Sequence, residues 1–482
     1  VKALPVKRRL IALKHRVKSK KPARPPEEIT MLSPVNPATG LPLPEVCSLT
    51  ENEAASVINK ASMAFPAWKA LTISQRATLL KKVAEGLRLQ QNRLAELMAE
   101  EMGKPLREGL GEVEKSAFCA EYYADNAEKF LSSEVLPSDA SESYVCHQPL
   151  GTVLGILPWN APVWLALRFL APALMAGNTC VMKPDPNVPA TAALLTEIFQ
   201  SVLPDGVMEN LPVTTGMVGD AIDHPAIKAV SFTGSSNAGQ KVAARAAAGL
   251  KPAVLELGGS DPCIVLADAD IEKACDVITL SRMINAGQSC IAAKRIIIED
   301  TIYDTVVSGL KQRFEALALG NPSELNDAIG PLARDDLRKQ LHGQVMRSVE
   351  LGAKCITGGE IPSIDGFYYP PTLLGDVTPE MAVFSEETFG PVLALCRATD
   401  LDQALALANH TEYGLGSSIW TSNEVAAKRA AMELNAGQVA INGIVKTDPR
   451  LPSGGIGKSG YGRELGPHGI REFVNIKQIW AA

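Results

Sequence analysis

The stretch AVSFTGSSNAGQKVAARAAAGLKPAVLELGG (Ala229–Gly259) decides the fold. Ala229–Phe232 is a short apolar run, Ala238–Ala248 reads as a helix, and Ala253–Glu256 is apolar again. Upstream the same alternation holds: Thr179–Lys183 is strand-like, Pro189–Leu203 helical and Leu211–Thr215 strand-like. Strands and helices in strict alternation imply right-handed βαβ units and a mostly parallel sheet. Such sheets bind ligands beyond the carboxyl ends of their strands. Lys183, Gly234 and Glu256 each stand at such an end, so they are expected to converge.

A second alternation runs downstream. Cys263–Leu266, Arg295–Glu299, Ser417–Trp420 and Gln438–Ile441 are strand-like, and Ile271–Asn285, Ile302–Leu317, Leu401–Ala408 and Val425–Leu434 are helical. The chain is thus expected to be α/β with two such domains. Before them, Asn36–Gly40 is a turn cluster, and Glu53–Trp68, Ser74–Met102 and Glu112–Phe130 have helical spacing. Gly103 and Pro105 form a stop signal for the second of these helices. Ser143–Gln148 and Thr152–Leu157 suggest a hairpin across Pro149-Leu150-Gly151. The strand-like C-terminus, Arg471–Trp480, can pair with that hairpin to make a separate arm.

At 482 residues the chain exceeds one ordinary domain, and 46% hydrophobic with 21% charged residues is a globular balance. Ten of its 47 Lys and Arg fall in the first 26 residues, before the first acid, Glu27. The remainder carries 37 bases against 53 acids, an acidic body that argues against a nucleic-acid partner. The basic arm resembles a transit peptide in charge. It is Ser-poor, however, which favours a disordered extension. No run is long and apolar enough to span a bilayer. Nine cysteines without CxxC or zinc-like spacing suit a reducing compartment, and the cytoplasm is expected.

Asn285-Ala-Gly-Gln-Ser-Cys290 is a polar, Gly-containing loop, a poor place to hide a thiol and a good one to present it as a nucleophile. Glu256 ends a buried apolar strand, where desolvation raises a carboxyl toward general-base range. Asn160, after Pro158-Trp159, can donate to an oxyanion. Each has a plainer reading: an inert thiol, a structural glutamate, a helix N-cap. Phe232–Gly239 is a Gly-containing turn into a helix, suited to a pyrophosphate but common. Arg168, the one charge between Asn160 and Lys183, either grips a substrate carboxylate or pairs with a structural one; Trp164 lies one turn earlier on its face.

With these residues in view, the chain resembles the aldehyde dehydrogenase superfamily from about Ser33 to Trp480. The motifs are Glu101-Met-Gly-Lys-Pro105, Pro158-Trp-Asn160, Ser231-Phe-Thr-Gly-Ser235, Leu255-Glu-Leu-Gly-Gly259, Gly287-Gln-Ser-Cys290, Glu386-Glu-Thr-Phe-Gly-Pro391 and Ser459-Gly-Tyr-Gly-Arg-Glu464. Each is modest alone, but together and in this order they are specific. The resemblance implies a Rossmann-like cofactor domain (31–137 and 152–257), a catalytic α/β domain (258–463) and a small β oligomerisation arm (138–151 and 464–482), assembled as a homodimer or homotetramer. Residues 1–30 are left out of the fold.

The resemblance also implies roles. Cys290 attacks a small-molecule aldehyde, Asn160 holds the oxyanion, and Glu256 activates water to release the acid from a thioester. Lys183 and Glu387 hold cofactor ribose hydroxyls, Gly234 and Ser235 hold the pyrophosphate, and Phe389, Trp159 and Leu257 lie beside the dinucleotide. No metal is implied. Within the family the chain is most similar to bacterial succinate-semialdehyde dehydrogenases, through Glu142–Cys146, Leu255–Pro262, Gly287–Lys294 and Val445–Pro452. That likeness implies a substrate carboxylate held by Arg168 and Thr447, near Trp164, with Arg282 a weaker candidate.

Two positions depart from the pattern. Ser453 replaces the usual aromatic in Pro452-Ser-Gly-Gly455. Asp185-Pro186 follows Lys183, where a carboxylate near the ribose 2′ position would repel a phosphate, so NAD is expected over NADP. A CoA-acylating relative needs no base for water, so Glu256 argues against it. An inactive binding protein has no need of Cys290, Glu256 and Asn160 together.

Overall fold

The computed structural model describes residues 30–326 and 328–482. The basic arm lies outside the described residues.

The first sheet is built from the alternation around Ala229–Gly259. Its strands run in the order Gly460–Tyr461, Ala253–Glu256, Ile227–Thr233, Thr152–Ile156, Thr179–Lys183 and Met208–Asn210. All neighbours are parallel except Gly460–Tyr461, which is antiparallel to Ala253–Glu256. Successive side chains alternate between two cores, as the pleat requires. Val153, Cys180, Ala229 and Val254 enter one, with helices Ile73–Leu89, Leu106–Leu131 and Pro162–Met175. Leu154, Val181, Val230 and Leu255 enter the other, with helices Glu51–Ala70 and Ser236–Ala248. The register sets Ile156 against both Lys183 and Phe232, and Thr233 against Glu256, so these carboxyl ends line one edge as expected.

The second sheet holds seven strands over a separate core: Lys354–Thr357, Thr372–Gly375, Val392–Ala398, Arg295–Glu299, Pro262–Val265, Gly416–Trp420 and Gln438–Ile441. Only Lys354–Thr357 is antiparallel to its neighbour. Arg295–Glu299, Leu401–Ala408 and Gln438–Ile441 fall on the expected boundaries. Helix Asp335–Glu350 and the strands at 354–357, 372–375 and 392–398 lie where the sequence reading assigned nothing.

The expected hairpin is not one. Glu142–Pro149 pairs antiparallel with Val474–Ala481 in a three-stranded arm, whereas Thr152–Ile156 is central in the first sheet. Gly151, at φ 138°, turns the chain out of one sheet and into the other. Only Val474 onward joins the arm: Gly460–Tyr461 extends the first sheet, and Leu465, Ile470 and Phe473 fill its core. The helix expected over 74–102 breaks at Gln90 into Ile73–Leu89 and Gln91–Met102, and both parts pack on Leu106–Leu131. Capping boxes at Thr50/Glu53 and Thr72/Gln75 start the first two helices, and Gly103, at φ 77°, ends the third. Among the described residues no helix is long and apolar enough to cross a membrane.

Candidate active site

The Cys290 loop leaves helix Ile271–Met283 through an unusual backbone. Asn285, Ala286 and Gly287 take φ of 55°, 51° and 76°, three consecutive left-handed residues. Two of them have side chains, a strain of about 1–3 kcal/mol each that the surroundings must hold. Two buried cations do so, spending their donors on backbone carbonyls. Arg282 donates to Gly287 O (2.5 Å), Ala293 O (3.1 Å) and Thr388 O (3.3 Å). Lys294 donates to Cys290 O (2.6 Å), Ser289 O (3.2 Å) and Ala292 O (3.2 Å). Glu108 accepts from the Asn285 N–H at 2.7 Å, and Gln288 Oε1 accepts from the Ala333 N–H at 2.8 Å.

Asn160 is tied to the same loop. Its Nδ2 donates to Gln288 O at 3.0 Å, and Asn285 Nδ2 donates back to Asn160 O at 2.8 Å. It is not the N-cap of helix Pro162–Met175. That helix begins after Ala161, and its Val163 and Trp164 N–H groups donate instead to Glu112 Oε1, at 2.9 and 3.0 Å. The amide is thereby held two residues from the Cys290 position rather than spent on a helix end.

Cys290 is half-buried, and the surrounding protein pushes its thiol up to about 12, while Arg168 and Lys294 pull the other way. Glu256 is 3% exposed, and its carboxyl is held above the ordinary range by burial against the opposing pull of Arg168. Arg168 NH2 donates to Glu256 Oε2 at 3.0 Å. Glu256 Oε1 has no hydrogen-bond partner. Gly454, at φ 152°, leaves that oxygen room: a Cβ there would sit 2.8 Å from it. The set is a thiol, an amide donor hydrogen-bonded to the thiol's loop, and a carboxylate with one oxygen anchored and one free.

Residues 24–479 match the aldehyde dehydrogenase family. The chain belongs to the aldehyde dehydrogenase family. It is an NAD(P)-dependent enzyme. A probable succinate-semialdehyde dehydrogenase (NADP(+)) of Synechocystis is 42% identical over 452 residues, covering 94% of this chain and 100% of that protein. Succinate-semialdehyde dehydrogenase (NADP(+)) 1 of Mycobacterium ulcerans is 42% identical over 456 residues, 93% of this chain and 99% of that one. Among solved structures, succinic semialdehyde dehydrogenase from Streptococcus pyogenes in complex with NADP+ superposes with a TM-score of 0.91 at 33% identity, over 93% of this chain and 99% of that one. Lactaldehyde dehydrogenase from Escherichia coli does so with 0.91 at 36%, over 94% and 95%.

The aldehyde dehydrogenase fold brings the expected cofactor residues to one edge. Lys183 ends its strand, and Gly234 follows another, leading into helix Ser236–Ala248, whose N-cap is Ser235. Thr233 Oγ1, at the same strand end, is buried without a partner. Among the described residues Lys183 forms no ion pair, and burial lowers its ammonium. Glu387 Oε1 accepts from the Gly259 N–H at 2.9 Å, and a Cβ on Gly258 would strike that carboxylate. Leu257 packs where Gly239 lacks a side chain, and Trp159 meets Phe389 edge-on at 5.8 Å. A helix N-terminus, an orphaned hydroxyl and two flanking charges fit a dinucleotide. Asp185 is half-buried; its Oδ1 accepts from the Asn187 N–H at 2.9 Å, and burial raises its carboxyl. Pro186 lies beside it, half-buried. The relatives named above are NADP(+) enzymes, and NAD as the favoured cofactor is not supported.

Of the four expected substrate residues, Arg282 and Arg168 are engaged with groups of the chain itself. Arg282 is fully buried behind the loop, with its donors on carbonyls. Arg168 is 3% exposed and its NH2 lies 2.5 Å from Glu464 Oε2 as well as 3.0 Å from Glu256. The sequence left an ion pair open as the alternative to a carboxylate grip, and Arg168 forms one through NH2, while its Nε is buried without a partner. Trp164 and Thr447 do come together, around a residue the sequence reading overlooked: Lys115. Its ammonium donates to Thr447 Oγ1 at 2.8 Å and sits 4.0 Å from the Trp164 ring centroid. Lys115 lies in a helix read as packing only, and nothing local marks it. Ser453 is buried, and its Oγ accepts from Gln438 Nε2 at 3.2 Å.

Proposed function

We propose that this enzyme oxidises a carboxylate-bearing aldehyde, succinate semialdehyde above others, to the dicarboxylic acid, with NADP(+) in preference to NAD. The observation that carries the chemistry is Glu256 with one oxygen fixed by Arg168 and the other unpartnered, beside a thiol on a clamped loop. The relatives named above support the substrate and the cofactor.

Cys290 Sγ adds to the aldehyde carbon, its proton passing to a base, and the oxyanion is met by Asn160 Nδ2 and the Cys290 N–H. When bound, the nicotinamide supplies the hydride acceptor. The acyl group then stays on Cys290 as a thioester. Glu256 Oε1 takes a proton from water, the hydroxide adds to the acyl carbon, and the acid leaves with return of the thiol. A free carboxylate oxygen beside the thiol favours water over CoA as acceptor. We extend the reading to a cytoplasmic homodimer or homotetramer, joined through the arm, whose Ile476 and Trp480 are 62% and 51% exposed.

A panel of succinate semialdehyde, lactaldehyde and unsubstituted aldehydes, each with NADP and NAD, tests this. The highest kcat/KM is expected for succinate semialdehyde with NADP, and free succinate as product without CoA. A CoA requirement, or a preference for an uncharged aldehyde, overturns it.

A further inference from the structure

Lys115 stands out among the cations around the site. Arg282 and Lys294 donate to loop carbonyls, and Arg168 pairs with two carboxylates through NH2, its Nε left without a partner. Lys115 is half-buried and, among the described residues, in no ion pair. The acids near it are all committed. Glu112 binds Lys104 with one oxygen and two helix N–H groups with the other. Asp448 is held by Arg450 at 2.8 and 2.6 Å. Cys119 is a buried thiol, and Arg168 adds like charge. Burial and that like charge lower the Lys115 ammonium to about 8, against the weaker pull of Glu112, Cys119 and Asp448. A cation removed from water without an anion is costly, and an aromatic face and one hydroxyl offset only part of that.

We infer that Lys115 and Thr447, over the face of Trp164, seat the distal carboxylate of the substrate. This rests on the semialdehyde reading above. The hydrogen bonding suits an anion. An ammonium has three N–H donors, and Thr447 accepts one, leaving two. Thr447, having accepted, has its own O–H to give. The two remaining Nζ–H groups and the Thr447 O–H are donors to a carboxylate.

The spacing suits a short semialdehyde. Trp164 and Arg168 are four residues apart on helix Pro162–Met175, about 5–6 Å along one face. Arg168 binds the general base Glu256 and is electrostatically coupled to Cys290. A four-carbon chain of ~1.5 Å bonds spans about one such turn, which matches a carboxylate at the Trp164 end and an aldehyde at the Arg168 end.

The test compares succinate semialdehyde with butanal, of equal length and uncharged. In the wild type kcat/KM favours the semialdehyde. Lys115→Met is expected to raise KM for the semialdehyde about 10- to 100-fold and for butanal less than about threefold, with kcat little changed. Lys115→Arg is expected to restore most of the loss. The ratio of the two kcat/KM values cancels the titrations of Cys290 and Glu256. It is expected to fall above about pH 8 in the wild type, as the ammonium deprotonates, and to stay level in Lys115→Arg. Equal effects of Lys115→Met on both aldehydes, or a level wild-type ratio from pH 7 to 9.5, overturns the assignment of Lys115 while the substrate reading stands. A wild type without preference for the semialdehyde overturns both. The wild-type pH ratio requires no variant, so a misfolded Lys115→Met does not remove the test.

Discussion

Two cations lie on either side of one helical turn, and they are opposites. Arg168, 3% exposed, is bracketed by Glu256 and Glu464. Lys115, half-buried above Trp164, has only a hydroxyl and a ring. The first belongs to the machinery: it fixes the carboxylate that acts as base, and its charge is already answered from within the chain. The second has a charge still to be answered. In a buried polar site, a satisfied ion pair points to positioning and an unsatisfied one to recognition.

Substitutions can break or sharpen that contrast. The largest loss is expected for Cys290→Ser, where replacing the thiol cuts reduced-cofactor production by roughly 10³-fold or more for every aldehyde. Full activity in this variant would show that neither cation borders a reacting centre. Glu256→Gln is expected to lower steady-state turnover by about 10²–10⁴-fold while a single stoichiometric burst of reduced cofactor survives, since hydrolysis of the acyl group fails after its formation. In the wild type the raised Glu256 carboxyl must be ionised to act, so turnover is expected to fall as pH drops through its elevated pKa, and this limb to vanish in the variant.

Arg168→Met separates the two ends most directly. It leaves two buried carboxylates without their cation, so a stability loss of about 3–5 kcal/mol is expected in denaturant melts. Activity is expected to fall in similar proportion for charged and uncharged aldehydes. A KM effect confined to the semialdehyde would return the carboxylate grip to Arg168. The smallest effect is expected for Gly454→Ala, whose Cβ presses on Glu256 Oε1. A drop of roughly tenfold in kcat, with the butanal-to-semialdehyde ratio unchanged, is the expected result.

Much of the fold was legible because its signals are local. Apolar runs between turn residues marked the strands of both parallel sheets, and Gly103 marked a helix end. The misreadings share a cause. Ser143–Leu157 looks like a hairpin in sequence, yet its two strands find partners far away, at Val474–Ala481 and Ile227–Thr233. Gln90 breaks a helix without a breaker residue. In the site, Cys290, Asn160 and Glu256 were readable from loop chemistry and strand ends. Glu464 was visible only as a motif letter, and Lys115 as one more charge on a helix.

The order of residues along the chain determined where the reactive groups stand on their elements, because strand ends, turns and helix starts follow from neighbouring side chains. Only tertiary packing decided which charges meet. Helix Leu106–Leu131 lies across helix Pro162–Met175, and that crossing gives Trp164 its lysine while the approach of Glu464 closes Arg168 off. For Arg168 and Lys115 the side chains that answer the charge lie between 49 (Lys115 to Trp164) and 332 (Lys115 to Thr447) residues away in sequence, and no local pattern encodes that distance.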